Sequence, residues 1–237
     1  MSSWRRHFPF FSSGSLAFLD SAASGQKPQK VLHSMEAFAA EQYANIHRGV
    51  HTLAEVSTAA YESARAMAAR FIGARHASEI IFTSGTTAGI NLAAESLRRG
   101  GFLAKGCKIV VSVLEHHSNF LPWQRAAAEV GGELIVAPIT PGGELDLAAL
   151  EKIFKKNKVA LLAITHVSNV LGAIVPLKAV IALAKKHGAL TLVDGAQAVA
   201  HLPVNVADLE ADFYAFSAHK LYGPTGLGVL YIRQGLA

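Results

Sequence analysis

Val159-Ala160-Leu161-Leu162-Ala163-Ile164 and Leu190-Thr191-Leu192-Val193 are two short runs almost free of polar groups. Between them Leu177, Val180, Ile181 and Ala184 fall at helical spacing into one apolar stripe. Pro176 opens that helix and Gly188 closes it, the asymmetry expected of helix ends. A run that is apolar throughout, rather than alternating, predicts a strand covered on both faces. Strand, helix and strand in this order predict a parallel crossover unit. The same kind of run recurs from Glu79 to Phe82, Lys108 to Val113, Leu134 to Ala137, Phe213 to Phe216 and Gly228 to Ile232. A second helical stripe joins Ile90, Ala93, Ala94 and Leu97. The expectation is an α/β fold, doubly wound: a mostly parallel seven-stranded sheet flanked by helices.

Composition agrees. The chain has 237 residues, 51% hydrophobic and 16% charged, which excludes a disordered chain. Its 20 Gly and 8 Pro show no period, so fibrous readings fail. One cysteine, Cys107, excludes an internal disulfide framework and a cysteine-based zinc module, and suits a reducing compartment. The net charge of +5 is spread along the chain. Its densest cluster, Lys152, Lys155, Lys156 and Lys158, sits at a helix end, where cations suit the dipole, and no nucleic-acid partner is expected. Arg5 and Arg6 before Phe8, Phe10 and Phe11 faintly suggest a leader. Pro9 and the polar stretch from Ser12 to Ser15 break it, and no run reaches the ~18 apolar residues of a membrane span. A cytoplasmic protein without membrane contact is expected.

The first part of the chain differs. Pro28 precedes a stripe at Val31, Met35 and Phe38, and a second stripe runs Val56, Ala60, Ala64, Met67, Phe71. Between them lies a polar, Gly-containing stretch from Asn45 to Thr52. A helical arm over 1–75 leading into an α/β domain over 76–237 is expected.

Ligands of open α/β sheets bind beyond the carboxyl ends of strands, and several polar residues fall there. Thr83-Ser84-Gly85-Thr86-Thr87 links a strand to a helix start and suits a phosphate, though Ser and Thr also make ordinary N-caps. Asp194 ends a strand, where a carboxylate needs a cationic or N–H partner; it is equally suited to capping a helix. Lys220 follows the apolar run ending at Phe216 and precedes the tight Gly223 to Gly228 turn, so it can form a Schiff base if burial lowers its pKa. That turn precedes a strand, which argues against a dinucleotide fingerprint. His116 and His117 follow another strand, and a stacking or hydrogen-bonding role is favoured over a metal ligand. His166 and Asn169 follow a third. His47, His51 and Glu55 would span roughly 12 Å on a helix, too far to share one ion. No metal is expected. A phosphate-suited helix start, an acid, a lysine and a histidine match the handles of pyridoxal phosphate.

These segments carry a family resemblance. Leu19-Asp20-Ser21-Ala22-Ala23, Asn45-Ile46-His47-Arg48-Gly49-Val50-His51, Ser84-Gly85-Thr86-Thr87, Glu115-His116-His117-Ser118-Asn119, His166-Val167-Ser168-Asn169, Asp194-Gly195-Ala196-Gln197 and Ser217-Ala218-His219-Lys220-Leu221-Tyr222-Gly223-Pro224 resemble the class V aminotransferase family. The likeness is to its SufS-type cysteine desulfurase and selenocysteine lyase branch, of fold type I. It implies pyridoxal 5′-phosphate as cofactor and L-cysteine or L-selenocysteine as substrate. The product is L-alanine, with a persulfide for iron-sulfur cluster assembly. It implies a homodimer and a sulfur-acceptor protein. Residue by residue, it implies that Lys220 holds the cofactor and moves the proton, Asp194 pairs with the ring nitrogen and His116 stacks on the ring. Asn169 and Gln197 contact the ring substituent and substrate region. Thr87, Ser217 and His219, with Thr86 beside them, hold the phosphate. His47 faces the substrate.

Two departures stand out. Ala88 replaces a glutamate common after the paired threonines. The family chain continues into a smaller C-terminal domain bearing a nucleophilic cysteine and a carboxylate-binding arginine. The expectation is therefore a fragment with the cofactor machinery and without the sulfur-accepting machinery. Another class V enzyme and a non-catalytic cofactor-binding fragment are the alternatives. Cys107 is expected at the amino end of its strand, a strand length of ~17–20 Å from the cofactor residues, and so is not expected to accept sulfur.

Overall fold

The computed structural model describes residues 4–12 and 16–236. Part of the Ser12 to Ser15 stretch, and the chain ends at 1–3 and 237, lie outside the described residues. The strands are β1 (Ile80–Thr83), β2 (Lys108–Ser112), β3 (Glu133–Ala137), β4 (Val159–Thr165), β5 (Leu190–Asp194), β6 (Phe213–Ser217) and β7 (Gly228–Ile232). They form one sheet in the order β1-β7-β6-β5-β4-β2-β3. The helices are α1 (Gln29–Glu41), α2 (Thr52–Phe71), α3 (Thr86–Arg99), α4 (Leu121–Glu129), α5 (Leu147–Lys156), α6 (Leu177–Lys186) and α7 (Val206–Leu209).

Every pair from β3 through β6 is parallel, and β7 alone runs against its neighbours β6 and β1. The reversal follows from chain length. The link over 218–227 holds one 3-10 turn and no α-helix, too little for a crossover, so β7 folds back antiparallel on β6.

Side chains along the strands feed two cores. On β2, Val110 joins one cluster while Ile109 and Val111 join the other. On β4, Leu162 and Ile164 oppose Leu161 and Ala163 in the same way. One face is covered by α5 and α6 through Leu150, Phe154, Val180 and Ile181. The other is covered by α3 and α4 through Ile90, Ala93, Leu97 and Trp123. Leu161, Leu162 and Ile164 are fully buried, each worth ~1.5–3 kcal/mol of transfer free energy. Ala69 and Ile72, at the end of α2, join the first core beside Ile80. No described helix is long and apolar enough to cross a membrane.

The chain steps outward from β2 to β3, then crosses back over β2 to place β4 on its other side, and continues to β5 and β6. The carboxyl ends of β2 and β4 therefore flank a topological switch point, where such sheets open a crevice.

Candidate active site

A cleft of about 510 Å³ opens beyond the carboxyl ends of these strands. Thr86, Thr87, His116 and Asn169 line it, as do Asp194, Gln197, Ser217, His219 and Lys220. Nine of the ten residues to which the resemblance gives a role thus meet in one place.

Its anion-suited wall is the start of α3. Gly85 has φ +147, a conformation L side chains rarely adopt, and it turns the chain from β1 into the helix. The Thr86 N–H donates to Ser217 Oγ at 2.7 Å, and Thr86 Oγ1 lies 2.6 Å from the same oxygen. Thr86 is buried and tied to β6, whereas Thr87 is exposed to the cleft. The remaining first-turn N–H groups have no intrahelical acceptor and favour an anion.

Opposite stand Asp194 and Lys220. Asp194 is 5% exposed. Among the described residues the only hydrogen-bond donor to its side-chain carboxylate is the Ala196 N–H, 2.9 Å from Oδ1. Oδ2 is left to accept from whatever the cleft holds. Burial raises the Asp194 pKa, while the Ala196 N–H and the charges of Lys220 and His116 pull it down. Burial lowers the Lys220 pKa and Asp194 opposes the shift, so this amine is more readily freed of its proton than a surface lysine. A buried carboxylate with one open oxygen, a lysine eased toward neutrality and a helix N-terminus fit a cofactor carrying a cationic ring nitrogen, an aldehyde and a phosphate.

The remaining walls come from loops. Gln197 Nε2 donates to the Ala22 carbonyl at 2.8 Å, and the Gly25 N–H donates to the His219 carbonyl at 2.9 Å. The segment that brings Asp20, Ala22 and Ala23 into the cleft is therefore anchored to two site residues. Burial, then Lys220 and Lys27, lower the His219 pKa. His116 is exposed, and its Nδ1 accepts from the Ser118 N–H.

His47 is the residue the cleft does not include. Its φ is +64, and its Nε2 lies 2.9 Å from Glu62 Oε1 on α2. His51 accepts from the Ala54 N–H and caps α2.

Glu115, Ser118 and the partnership of His166 with Tyr214 escaped the sequence reading. The carboxyl of Glu115 accepts from Ser112 Oγ, Asn119 Nδ2 and the Thr165 N–H, joining the ends of β2 and β4 behind His116. Burial pushes it up to about 8. His166 Nδ1 lies 3.0 Å from the Tyr214 hydroxyl, and burial takes that histidine down to about 4. The Tyr214 ring packs so closely on Gly195 that a Cβ there would overlap it, which explains the glycine after Asp194. Ser118 bridges Thr87 and His116. An acid beside His116 at a strand's carboxyl end was the available signal for Glu115.

Known proteins resemble this chain in sequence and fold. The family model described as aminotransferase class-V matches residues 17–237. A cysteine desulfurase of Escherichia coli O8 is 53% identical over 221 residues, which are 93% of this chain and 54% of that protein. The apo structure of a cysteine desulfurase from Thermococcus onnurineus NA1 superposes with a TM-score of 0.90 at 42% identity, covering 97% of this chain and 56% of the other. The cysteine desulfurase CsdA from Escherichia coli gives 0.83 at 37%, covering 98% and 58%. The chain spans about half the length of the curated relatives it matches. The sheet is the fold type I arrangement expected from the sequence.

Proposed function

This chain belongs to the class V aminotransferase family, and on that premise we propose that its cleft holds pyridoxal 5′-phosphate and serves cysteine desulfurase chemistry. The substrate is L-cysteine or L-selenocysteine and the carbon product is L-alanine. The observation that carries this reading is the meeting of Lys220, Asp194 and the start of α3 in one cleft. When bound, the cofactor supplies an electron-withdrawing ring that accepts electron density from the amino acid's Cα.

The chain's own residues do the rest. Thr87, Ser217, His219 and the first turn of α3 hold the phosphate, and Thr86 fixes Ser217. Asp194, as a carboxylate, keeps a proton on the ring nitrogen. His116 covers one ring face. Gln197 and Asn169 border the ring substituent and the substrate. Lys220 would hold the cofactor aldehyde and would carry the proton at the substrate's Cα. Its partial burial supports that role, because a fully hydrated lysine stays protonated near neutral pH. His47, facing Glu62, is assigned no step.

The sulfur goes to a thiol other than Cys107. That residue immediately precedes β2, at the amino edge of the sheet, and burial raises its pKa, which disfavours the thiolate a sulfur acceptor needs. A homodimer, a separate sulfur-acceptor protein and a cytoplasmic setting complete the proposal.

The test is to load the protein with pyridoxal phosphate, offer L-cysteine with a small thiol as acceptor, and follow α-proton exchange and alanine. Exchange with alanine release supports the reading. A loaded protein that exchanges no proton overturns it.

A further inference from the structure

Ser118 belongs neither to the anion cradle nor to the stacking position, yet it joins the two. Its Oγ lies 2.7 Å from Thr87 Oγ1 and 2.9 Å from His116 Nδ1, and its N–H donates to the same Nδ1 at 3.1 Å. We propose that Ser118 is a positioning residue that relays occupancy of the anion cradle at Thr87 to the imidazole of His116. The proposal rests on the reading of Thr87 as an anion ligand.

Two hydroxyl oxygens at 2.7 Å need a proton between them, and each hydroxyl has one to give. With the cradle empty, Thr87 donates to Ser118 and Ser118 donates to Nδ1. That nitrogen then accepts twice, and the neutral ring carries its proton on Nε2. A phosphate that accepts the Thr87 proton reverses the order. Ser118 must now donate to Thr87 Oγ1, and its oxygen turns a lone pair toward Nδ1. The neutral ring has lost its hydroxyl donor, while a protonated Nδ1 gains an acceptor. Filling the cradle therefore raises the proton affinity of His116.

Other groups also act on this ring. Asp194, at the end of β5, interacts with both His116 and Lys220. His117 lies edge-on with ring centroids 6.0 Å apart. None of these shares a proton with Thr87, and the charge of the anion itself acts through space whether or not Ser118 has a hydroxyl. The part of the response that depends on Ser118 is the relay.

The experiment uses the cofactor-free protein with nitrogen-15 in its backbone and histidine rings, titrated with inorganic phosphate at fixed pH and ionic strength. Wild type, Ser118→Ala and Ser118→Thr are compared. The backbone N–H signals of Thr86 and Thr87 report whether phosphate enters the cradle; the His116 ring nitrogens report the relay. Phosphate should move the His116 Nδ1 signal toward its protonated position in wild type. The shift should fall to less than half in Ser118→Ala, and Ser118→Thr should restore it. An equal shift in Ser118→Ala, or none in wild type while the Thr87 N–H moves, overturns the relay. Silence at Thr86 and Thr87 overturns the cradle, and the relay with it.

Discussion

Replacing Glu115 by Gln should remove a pH dependence from the protein's stability. Burial, reinforced by the Asp194 charge, outweighs its three donors and pushes its carboxyl from 4.5 to about 8. Unfolded, the same group releases its proton near the lower value. Across that window the folded state binds more protons than the unfolded state, so stability is greatest below it and falls as pH rises through it. At ~1.36 kcal/mol per unit, a gap of roughly 3.5 units caps the loss at ~5 kcal/mol. Relaxation of the surroundings and entry of water around the new charge should bring it to ~2–3 kcal/mol. His166 works the other way, because a histidine held at about 4 gains stability as pH rises toward its ordinary value. That contribution is common to both proteins. The Gln amide meets the Asn119 amide donor, which cannot turn because Asn119 Oδ1 accepts from Trp123 Nε1 at 2.9 Å. This costs ~1–3 kcal/mol at every pH and leaves the slope untouched. Urea unfolding at about pH 5 and about pH 9 measures the difference. Wild type should lose ~2–3 kcal/mol more than Glu115→Gln between the two. Equal losses would refute the reasoning and mean that the three donors keep Glu115 ionised throughout.

Asp194→Asn should retain most bound cofactor while α-proton exchange with L-cysteine falls ~100-fold or more, as expected when a buried ion-pair partner is lost; unchanged exchange would remove Asp194 from its role. Gly195→Ala should lower unfolding free energy by ~3 kcal/mol, since the new Cβ overlaps the fully buried Tyr214 ring, and a thermal melt within a degree or so of wild type would count against that packing. Cys107→Ser should leave cofactor binding intact, and mass spectrometry after cysteine turnover should find no persulfide at residue 107 of the wild-type protein.

The sheet was legible because its strands are apolar on both faces, and all seven lie within a residue or two of the runs that announced them. The direction of β7 was not, since Gly228 to Ile232 reads the same either way and only the short link before it sets the pairing. Neither α4 nor α7 was anticipated: α7 is a single turn without a period, and α4 carries Pro122 at its start. The cleft residues were legible because strand ends in a doubly wound sheet converge. His47 was not, because it sits on an irregular loop that no periodicity positions, and there a pairing with Glu62 on α2 takes its ring. Glu115, Ser118 and the His166–Tyr214 pair depend on contacts between elements, with Glu115 and Thr165 meeting across 50 positions.

The central claim is that Lys220 is the anchor of a pyridoxal phosphate site. Incubating the protein with pyridoxal phosphate, reducing with borohydride and mapping the modified peptide tests it directly. The account predicts one dominant reduced adduct on Lys220, absent from Lys220→Ala. An adduct dominant on another lysine, or surviving at equal yield in Lys220→Ala, would contradict it.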